Sequence, residues 1–396
     1  MCPVSIEQRF APQLTQRRAQ HLYRQRPLAF TPQQPLMNLN GVACLNFCSN
    51  DYLGLANHPQ IKQRLIEALQ TEAISYGAGA AHLVTGHHLQ HHLLEDELAD
   101  WLGVERVLLF STGFMANLAV LQTLAQKGDV ILGDKLNHAS LVDGARHSSA
   151  EFKRYPHLAM PALEKRLQQA QALQQQALVV TDGVFSMDGD LAPLTEIQAL
   201  TQRYQAWLIV DDAHGFGVLG AQGRGSLSHF GLNADANTVQ IGTLGKAFGC
   251  SGAFVAGSNT LIETLIQFAR PYIYTTASSH LNAVAVRQAL HLLQQAEAPR
   301  AHLRALILQF RQGANDIGLQ LLDSLSPIQP VMLGGPERAL AWSERLQQLG
   351  FWVAAIRPPT VAQGQARLRI TLSAAHQPQQ VAQLLSALAD CQATLG

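Results

Sequence analysis

Lys246 stands in GTLGKAFG (242–249), among glycines and apolar side chains, and no lysine follows it in the chain. A lysine shielded from water has a lowered pKa and becomes a nucleophile able to condense with a carbonyl. Other reactive side chains occupy comparable places. WLIVDDAH sets Asp211 and His214 just past an apolar run, VVTDGVFSMDGD does the same for Ser186, and DKLNHASL for His138. Thr243 precedes Lys246 by three residues. Any one of these has a purely structural explanation, such as an aspartate capping a loop. Together they supply an amine, a carboxylate, two imidazoles and hydroxyls for a single site.

Such a site needs elements that bring these residues to one edge. From about residue 50 to 280, short β-rich runs alternate with helical stretches: VLLF, DVILGD, ALVVTDGV, WLIVDDAH, TVQIGT and GAFVAGS read as strands. FMANLAVLQTLAQKG reads as a helix that Gly128 closes, and PLTEIQALTQRYQ as another. Apolar strands separated by helices predict an α/β fold on a mostly parallel central sheet, with ligands beyond the carboxyl ends of its strands. Longer helices follow, with a few strands such as ARLRITLS. The expected division is a large domain over 50–282, a small α+β domain over 283–396, and an N-terminal segment, 1–49, packing with the small domain.

Within that frame the residues match the needs of pyridoxal 5'-phosphate. This cofactor takes a Schiff-base lysine, a carboxylate beside its ring nitrogen and backbone N–H donors for its phosphate. Lys246 and Asp211 meet the first two needs. STGFMAN (111–117) meets the third with a glycine at a helix start, and Thr243 adds a hydroxyl. An imidazole over the ring, a place open to His138, helps to move protons.

Several other readings fail. GFGVLG (215–220) matches a dinucleotide-binding loop, but DDAH intervenes after the strand and AQGRGS follows where a helix should begin. HHLQHH places His87 with His91, and His88 with His92, four apart on an expected helix. Without an HExxH pattern they are read as solvated or capping histidines, and no metal is expected. Lys+Arg and Asp+Glu balance at 28 each, which offers no electrostatic footprint for nucleic acid. Arg17, Arg18, Arg24 and Arg26 form a local basic excess on an expected N-terminal helix. Five cysteines without a CxxC pair, no signal-peptide pattern and no membrane-length apolar run lead to an expectation of a cytoplasmic protein.

NDYLGL, STGF-AN, LNHASL, VFSMDGD, VDDAHGFGVLG and TLGKAFG, in this order and spacing, resemble the α-oxoamine synthases of the fold-type I pyridoxal-phosphate enzymes, from about Arg17 to the end. The resemblance implies that Lys246 is the Schiff-base lysine, Asp211 the pyridine-nitrogen partner, and His214 a hydrogen-bond partner of the phenolic oxygen. It implies that His138 stacks on the ring and that Gly113, Phe114, Ser186 and Thr243 contact the cofactor. Asn50 and Arg369 would hold an amino-acid carboxylate, while Arg24 and Thr360 would lie near the acyl substrate. Thr275 and Thr276 match a segment reaching a neighbouring subunit's phosphate, which implies a homodimer with shared active sites. SPIQPVMLG and AAIRPPTVAQGQARLRITLSAAH are most similar to the branch that condenses L-alanine with a pimeloyl thioester, carried by coenzyme A or acyl carrier protein. Glycine with acetyl-CoA is the rival substrate pair, and a non-catalytic partner subunit the rival of another class. One stretch departs from the family: GAGAAHLVTG (77–86) stands where a GSGGSR-like loop is common, with Ala81 and His82 replacing its usual residues.

Overall fold

The computed structural model describes residues 4–20, 22–71 and 74–396. Cys2 therefore lies outside the described residues. The chain opens with an exposed helix, Ile6–Ala19, none of whose residues is buried. Arg17 and Arg18 end this helix, and Arg24 and Arg26 lie beyond it, so the basic cluster is not one helical face. A hairpin follows, β1 (Leu36–Leu39) and β2 (Val42–Asn46). Its two-residue turn is Asn40-Gly41, both at positive φ (53° and 85°), the backbone that a tight antiparallel hairpin requires.

The central sheet has seven strands: β3 (Arg106–Phe110), β4 (Val130–Asp134), β5 (Glu151–Tyr155), β6 (Ala177–Asp182), β7 (Trp207–Asp211), β8 (Thr238–Thr243) and β9 (Ala253–Gly257). Their order is β3-β9-β8-β7-β6-β4-β5, with β4 to β8 mutually parallel and β9 antiparallel to both neighbours. This is the mostly parallel α/β sheet expected from the apolar runs.

Alternation along β6 shows why those runs are continuous. Leu178 and Val180 pack into one apolar layer, while Ala177 and Val179 pack into another on the opposite face. Helices cover both faces, so neither set of side chains meets water. The helix after β3 spans Gly113–Leu124 and ends at Ala125, short of Gly128, which instead turns the chain into β4. Leu167 is buried on the helix Met160–Ala172, but Leu173 caps it and is exposed.

Beyond the central sheet, β10 (Ile328–Gly334), β12 (Ala354–Ile356) and β13 (Ala366–Thr371) form an antiparallel sheet, while β11 (Phe351–Trp352) pairs in parallel with β2. The N-terminal hairpin and the C-terminal region thus share backbone hydrogen bonds. One apolar cluster joins Phe47 and Tyr52, Phe248 and Phe254 of the central region, and Leu368 and Leu388. This continuity holds β13 and its arginines against the carboxyl edge of the central sheet. No described helix is long and apolar enough to cross a membrane.

Candidate active site

Strand register creates the acidic floor. Asp182 and Asp211 end β6 and β7 and are direct partners across the parallel pair, so their side chains rise from the same face. Asp211 Oδ2 accepts a 2.6 Å hydrogen bond from Asn117 Nδ2, and its Oδ1 accepts one from the Ala213 N–H at 3.1 Å. Asn117 also donates to Ser140 Oγ at 2.7 Å. Burial, reinforced by the neighbouring Asp211 charge, raises the Asp182 carboxyl well above its usual range. The backbone N–H of His138 caps Asp182 Oδ2 at 2.8 Å.

The amine stands over this floor. Lys246 Nζ lies 2.8 Å from His214 Nε2, and His214 Nδ1 lies 2.6 Å from the Tyr52 hydroxyl. Tyr52 Oη is 3.2 Å from Asn50 Oδ1, which accepts from Arg369 Nη2 at 3.3 Å. Arg369 also donates from Nε to the Ser186 carbonyl at 2.7 Å and from Nη1 to Thr371 Oγ1 at 3.1 Å. Residues from the 49–53 loop, from the segments that follow β7 and β8, and from β13 thereby form one polar chain. Burial pushes the Lys246 ammonium down to about 8 against the pull of Asp211 and Asp182. Burial first, and then the Lys246 charge, holds His214 well below its ordinary value. His214 is therefore a neutral imidazole at neutral pH.

Opposite stands the start of the helix Gly113–Leu124. The Thr112 side chain caps Met115 N–H at 3.2 Å, while the N–H groups of Gly113 and Phe114 belong to the first turn and have no intrahelical acceptor. A Cβ added to Gly113 would stand 4.0 Å from Thr243 Cβ, so Thr243 adjoins the helix start; its hydroxyl donates to the Gly252 carbonyl at 3.2 Å and accepts from Gly245 N–H at 3.3 Å. An amine, a buried carboxylate and this anion-binding helix end are the donor set that pyridoxal phosphate requires, and the residues fit it. His138 sits near enough to be influenced by the charges of Asp211 and Lys246, after the larger effect of burial, which lowers it.

A cavity of ≈ 510 Å³ leads to Lys246, within the range of small-molecule sites. Asn50, Cys48 and Cys250 line it beside the apolar Met37, Leu39 and Trp352. Arg24 and Thr360 converge elsewhere: Thr360 N–H donates to the Arg357 carbonyl at 3.0 Å, and Arg357 is lowered by burial and then by Arg24. Thr275 and Thr276 run beside the 80–81 segment, with Thr276 bridging Ala81. Among the described residues, the polar chain around Lys246 includes none of these four.

The helix expected under HHLQHH starts later, at Leu89, so His87 lies before it and His88 is its N-cap, accepting from Gln90 N–H at 3.2 Å. His82, from the divergent loop, joins the group. Burial pushes His82 down to about 4 and His91 to about 3. GFGVLG opens no helix suited to a dinucleotide: a Cβ at Gly215 would overlap Asp212 Oδ1, and Gly217 and Gly220 hold positive φ.

Three polar residues at the site escape a reading of spacing alone: Tyr52, Asn117 and Asp182. Asn117 had a signal, being polar among Ala116, Ala119 and Val120 on a buried helix stripe. Tyr52 had none, since a buried aromatic reads as core.

Comparison with known proteins places this geometry. Residues 42–388 match the family described as aminotransferase class I and II. The 8-amino-7-oxononanoate synthase of Hydrogenovibrio crunogenus is 65% identical over 98% of this chain and 97% of its own. A Francisella tularensis 8-amino-7-oxononanoate synthase crystal structure superposes with a TM-score of 0.74 at 33% identity, over 88% of this chain and 97% of that one. A serine palmitoyltransferase from S. paucimobilis, solved with bound PLP–myriocin aldimine, gives a TM-score of 0.91 at 27% identity over 99% of each chain.

Proposed function

The chain belongs to the class I and II aminotransferase family and, within it, to the 8-amino-7-oxononanoate synthases, and from that premise we propose how its residues divide the work. The enzyme is a pyridoxal-phosphate-dependent acyltransferase of biotin biosynthesis. It condenses L-alanine with a pimeloyl thioester to give 8-amino-7-oxononanoate, carbon dioxide and the free thiol. One relationship carries the assignment of roles: Lys246 faces His214 at 2.8 Å above Asp211, on a polar chain that ends at Arg369.

Lys246, Asp211, His214, Thr243, Ser186 and the Gly113–Phe114 turn would hold the cofactor, with His138 at its ring face. The cofactor supplies an electron sink for the amino acid's Cα, first when its proton leaves and again when carbon dioxide leaves. Arg369, already anchored through Nε and Nη1, turns its guanidinium edge toward Asn50, and this pair binds the alanine carboxylate. The Lys246 amine, pushed down to about 8 by burial, takes the Cα proton and later returns one. Asp211, aligned by Asn117, keeps the ring nitrogen protonated. His138 donates to the thioester oxygen as negative charge develops there. The new carbon–carbon bond forms first; the carbon–sulfur bond then breaks as the carbonyl re-forms, and the departing thiolate takes its proton from solvent.

The acyl methylenes lie along Met37, Leu39 and Trp352 in the cavity beside Lys246, with Arg24 and Thr360 at the approach of the acyl carrier. Thr275 and Thr276 serve the neighbouring subunit's cofactor phosphate in a homodimer. The boundaries at 49/50 and 282/283 divide a large domain from the small one.

The test is product mass after mixing purified protein, L-alanine and pimeloyl-CoA, beside glycine with acetyl-CoA. Alanine-dependent 8-amino-7-oxononanoate is the expected result. Product only in the glycine mixture would move the enzyme to the rival substrates, and product in neither would overturn the reading.

A further inference from the structure

Both clusters of potential metal ligands among the described residues lie where the divergent 77–86 loop meets the helix Leu89–Leu102. His82 Nδ1 and His87 Nδ1 face each other at 3.0 Å, and His91 offers a nitrogen within 4.8 Å of both. An ion with tetrahedral nitrogen ligands at about 2.0–2.1 Å sets two of them about 3.3 Å apart. The pair therefore needs to open by only a few tenths of an ångström to admit one.

The rings are held in place before any ion arrives. Tyr272 stacks on His82, with centroids 5.3 Å apart and planes at 15°. His91 is fully buried; its Nδ1 accepts from His88 N–H and its Nε2 meets Ser278 Oγ, both at 3.2 Å. Binding through Nδ1 exchanges the hydrogen bond from His88 N–H for a coordinate bond and leaves Nε2–H donating to Ser278 Oγ as support. Glu95 Oε2 lies 3.9 Å from His87 Nε2, on the ring edge away from His82. That gap is beyond hydrogen-bond reach, and burial pushes the Glu95 carboxyl up to about 8, so the carboxyl stands near His87 without bonding it.

We propose that His82, His87 and His91 bind one divalent zinc-class cation, with water completing the shell on the exposed His87 side. Three imidazoles suit zinc, cobalt or nickel and disfavour magnesium or calcium, which require oxygen ligands. The ion ties the loop to the helix. Through the Ala81–Thr276 bridge and the Ala277 N–H to Ala80 carbonyl bond of 3.0 Å, it also braces the strap carrying Thr275 and Thr276. His82 makes this site more than an accident of HHLQHH, because it arrives from the loop and fills the buried side.

The test titrates tag-free holoenzyme with cobalt(II) chloride and follows the cobalt d–d bands, which lie to the red of the cofactor chromophore. One cobalt per chain is expected, displaced by zinc. Affinity should fall at least about tenfold in His82→Asn and in His87→Gln. The exposed His87 substitution guards against misfolding, and cofactor absorbance reports folding in every variant. His92→Gln should bind like the parent. Zinc should raise the thermal midpoint of the parent and of His92→Gln, and leave that of His87→Gln unmoved. Equal affinity in parent and His87→Gln, or a loss in His92→Gln with none in His82→Asn, would overturn the proposal. The second pattern would assign the ion to the exposed His87, His92 and Glu95 instead.

Discussion

Lys246 Nζ and His214 Nε2 face each other at 2.8 Å, while the opposite imidazole nitrogen is held by Tyr52 at 2.6 Å. A neutral imidazole has one donor and one acceptor nitrogen. When Lys246 is an ammonium, Nε2 accepts and Nδ1–H donates to Tyr52. When Lys246 loses its proton, the hydroxyl can turn its hydrogen toward Nδ1 and Nε2–H then faces the amine. A proton change at the amine is thus matched by rotation of one hydroxyl and a tautomer exchange, with no charge placed on the buried ring.

Stability of the cofactor-free protein should depend on Lys246 in a defined window. Its folded pKa, about 8, lies below the unfolded 10.5. Between these values the unfolded chain holds the proton and the folded chain does not, so stability rises with pH across the window. Below about 8 both states hold it, and the burial cost is present in full. Thermal midpoints of the parent minus those of Lys246→Met should climb from pH about 8 to 10.5 and stay flat below; a flat difference throughout would contradict the assigned shift. In holoenzyme, Lys246→Met should show no turnover.

Asp211→Asn preserves shape and removes the charge. Cofactor should still bind, since Lys246 and the turn at Gly113 remain, but turnover should fall by about a hundred- to a thousandfold as the electron sink weakens. Cofactor absorbance and steady-state kinetics, measured together, separate the two effects. Unchanged kcat would remove Asp211 from the ring nitrogen.

Arg369→Lys tests whether the fork geometry matters beyond the charge. A lysine there cannot make the three contacts to Ser186, Thr371 and Asn50 at once. Loss of a charged hydrogen bond of about 1.5–3 kcal/mol predicts a kcat/KM for L-alanine lower by about ten- to a hundredfold. The KM for the acyl thioester should barely move, and an equal rise in both would place Arg369 in a general structural role.

Gly215→Ala should destabilise the fold without touching a reacting atom. The new methyl would overlap Asp212 Oδ1, which accepts from Ser226 Oγ at 2.5 Å while Oδ2 accepts from Ser226 N–H at 2.5 Å. Breaking that buried network should cost at least about 2 kcal/mol, read as a lower denaturation midpoint. An unchanged midpoint would mean that the 212–226 turn has room to shift.

Much of the fold is legible in order of residues because burial leaves a local trace. VILGD, ALVVTD and AFVAG are buried throughout and apolar except for Thr181 and the closing Asp134 and Asp182, since helices cover both sheet faces, and each is a strand. The Asn40-Gly41 hairpin also carries its own turn signal, one easily passed over in a segment rich in prolines and glutamines. Helix ends were less legible: Gly128 looked like a cap, yet the helix stops at Leu124 and the glycine serves the next turn.

At the site, sequence by itself determined the kinds of groups and the strand ends they follow: Lys246, Asp211, His214, His138 and Thr243 each sit just past or at the end of an apolar run. Only the tertiary structure decided which groups touch. Tyr52 reaches His214 across 162 positions, Arg369 reaches Asn50 across 319, and His82 completes a trio with His87 and His91. Such contacts depend on strand order and on the cluster that presses β13 against the sheet edge. A hydrogen bond responds to an ångström of distance, and nothing in the spacing of residues along a chain encodes that.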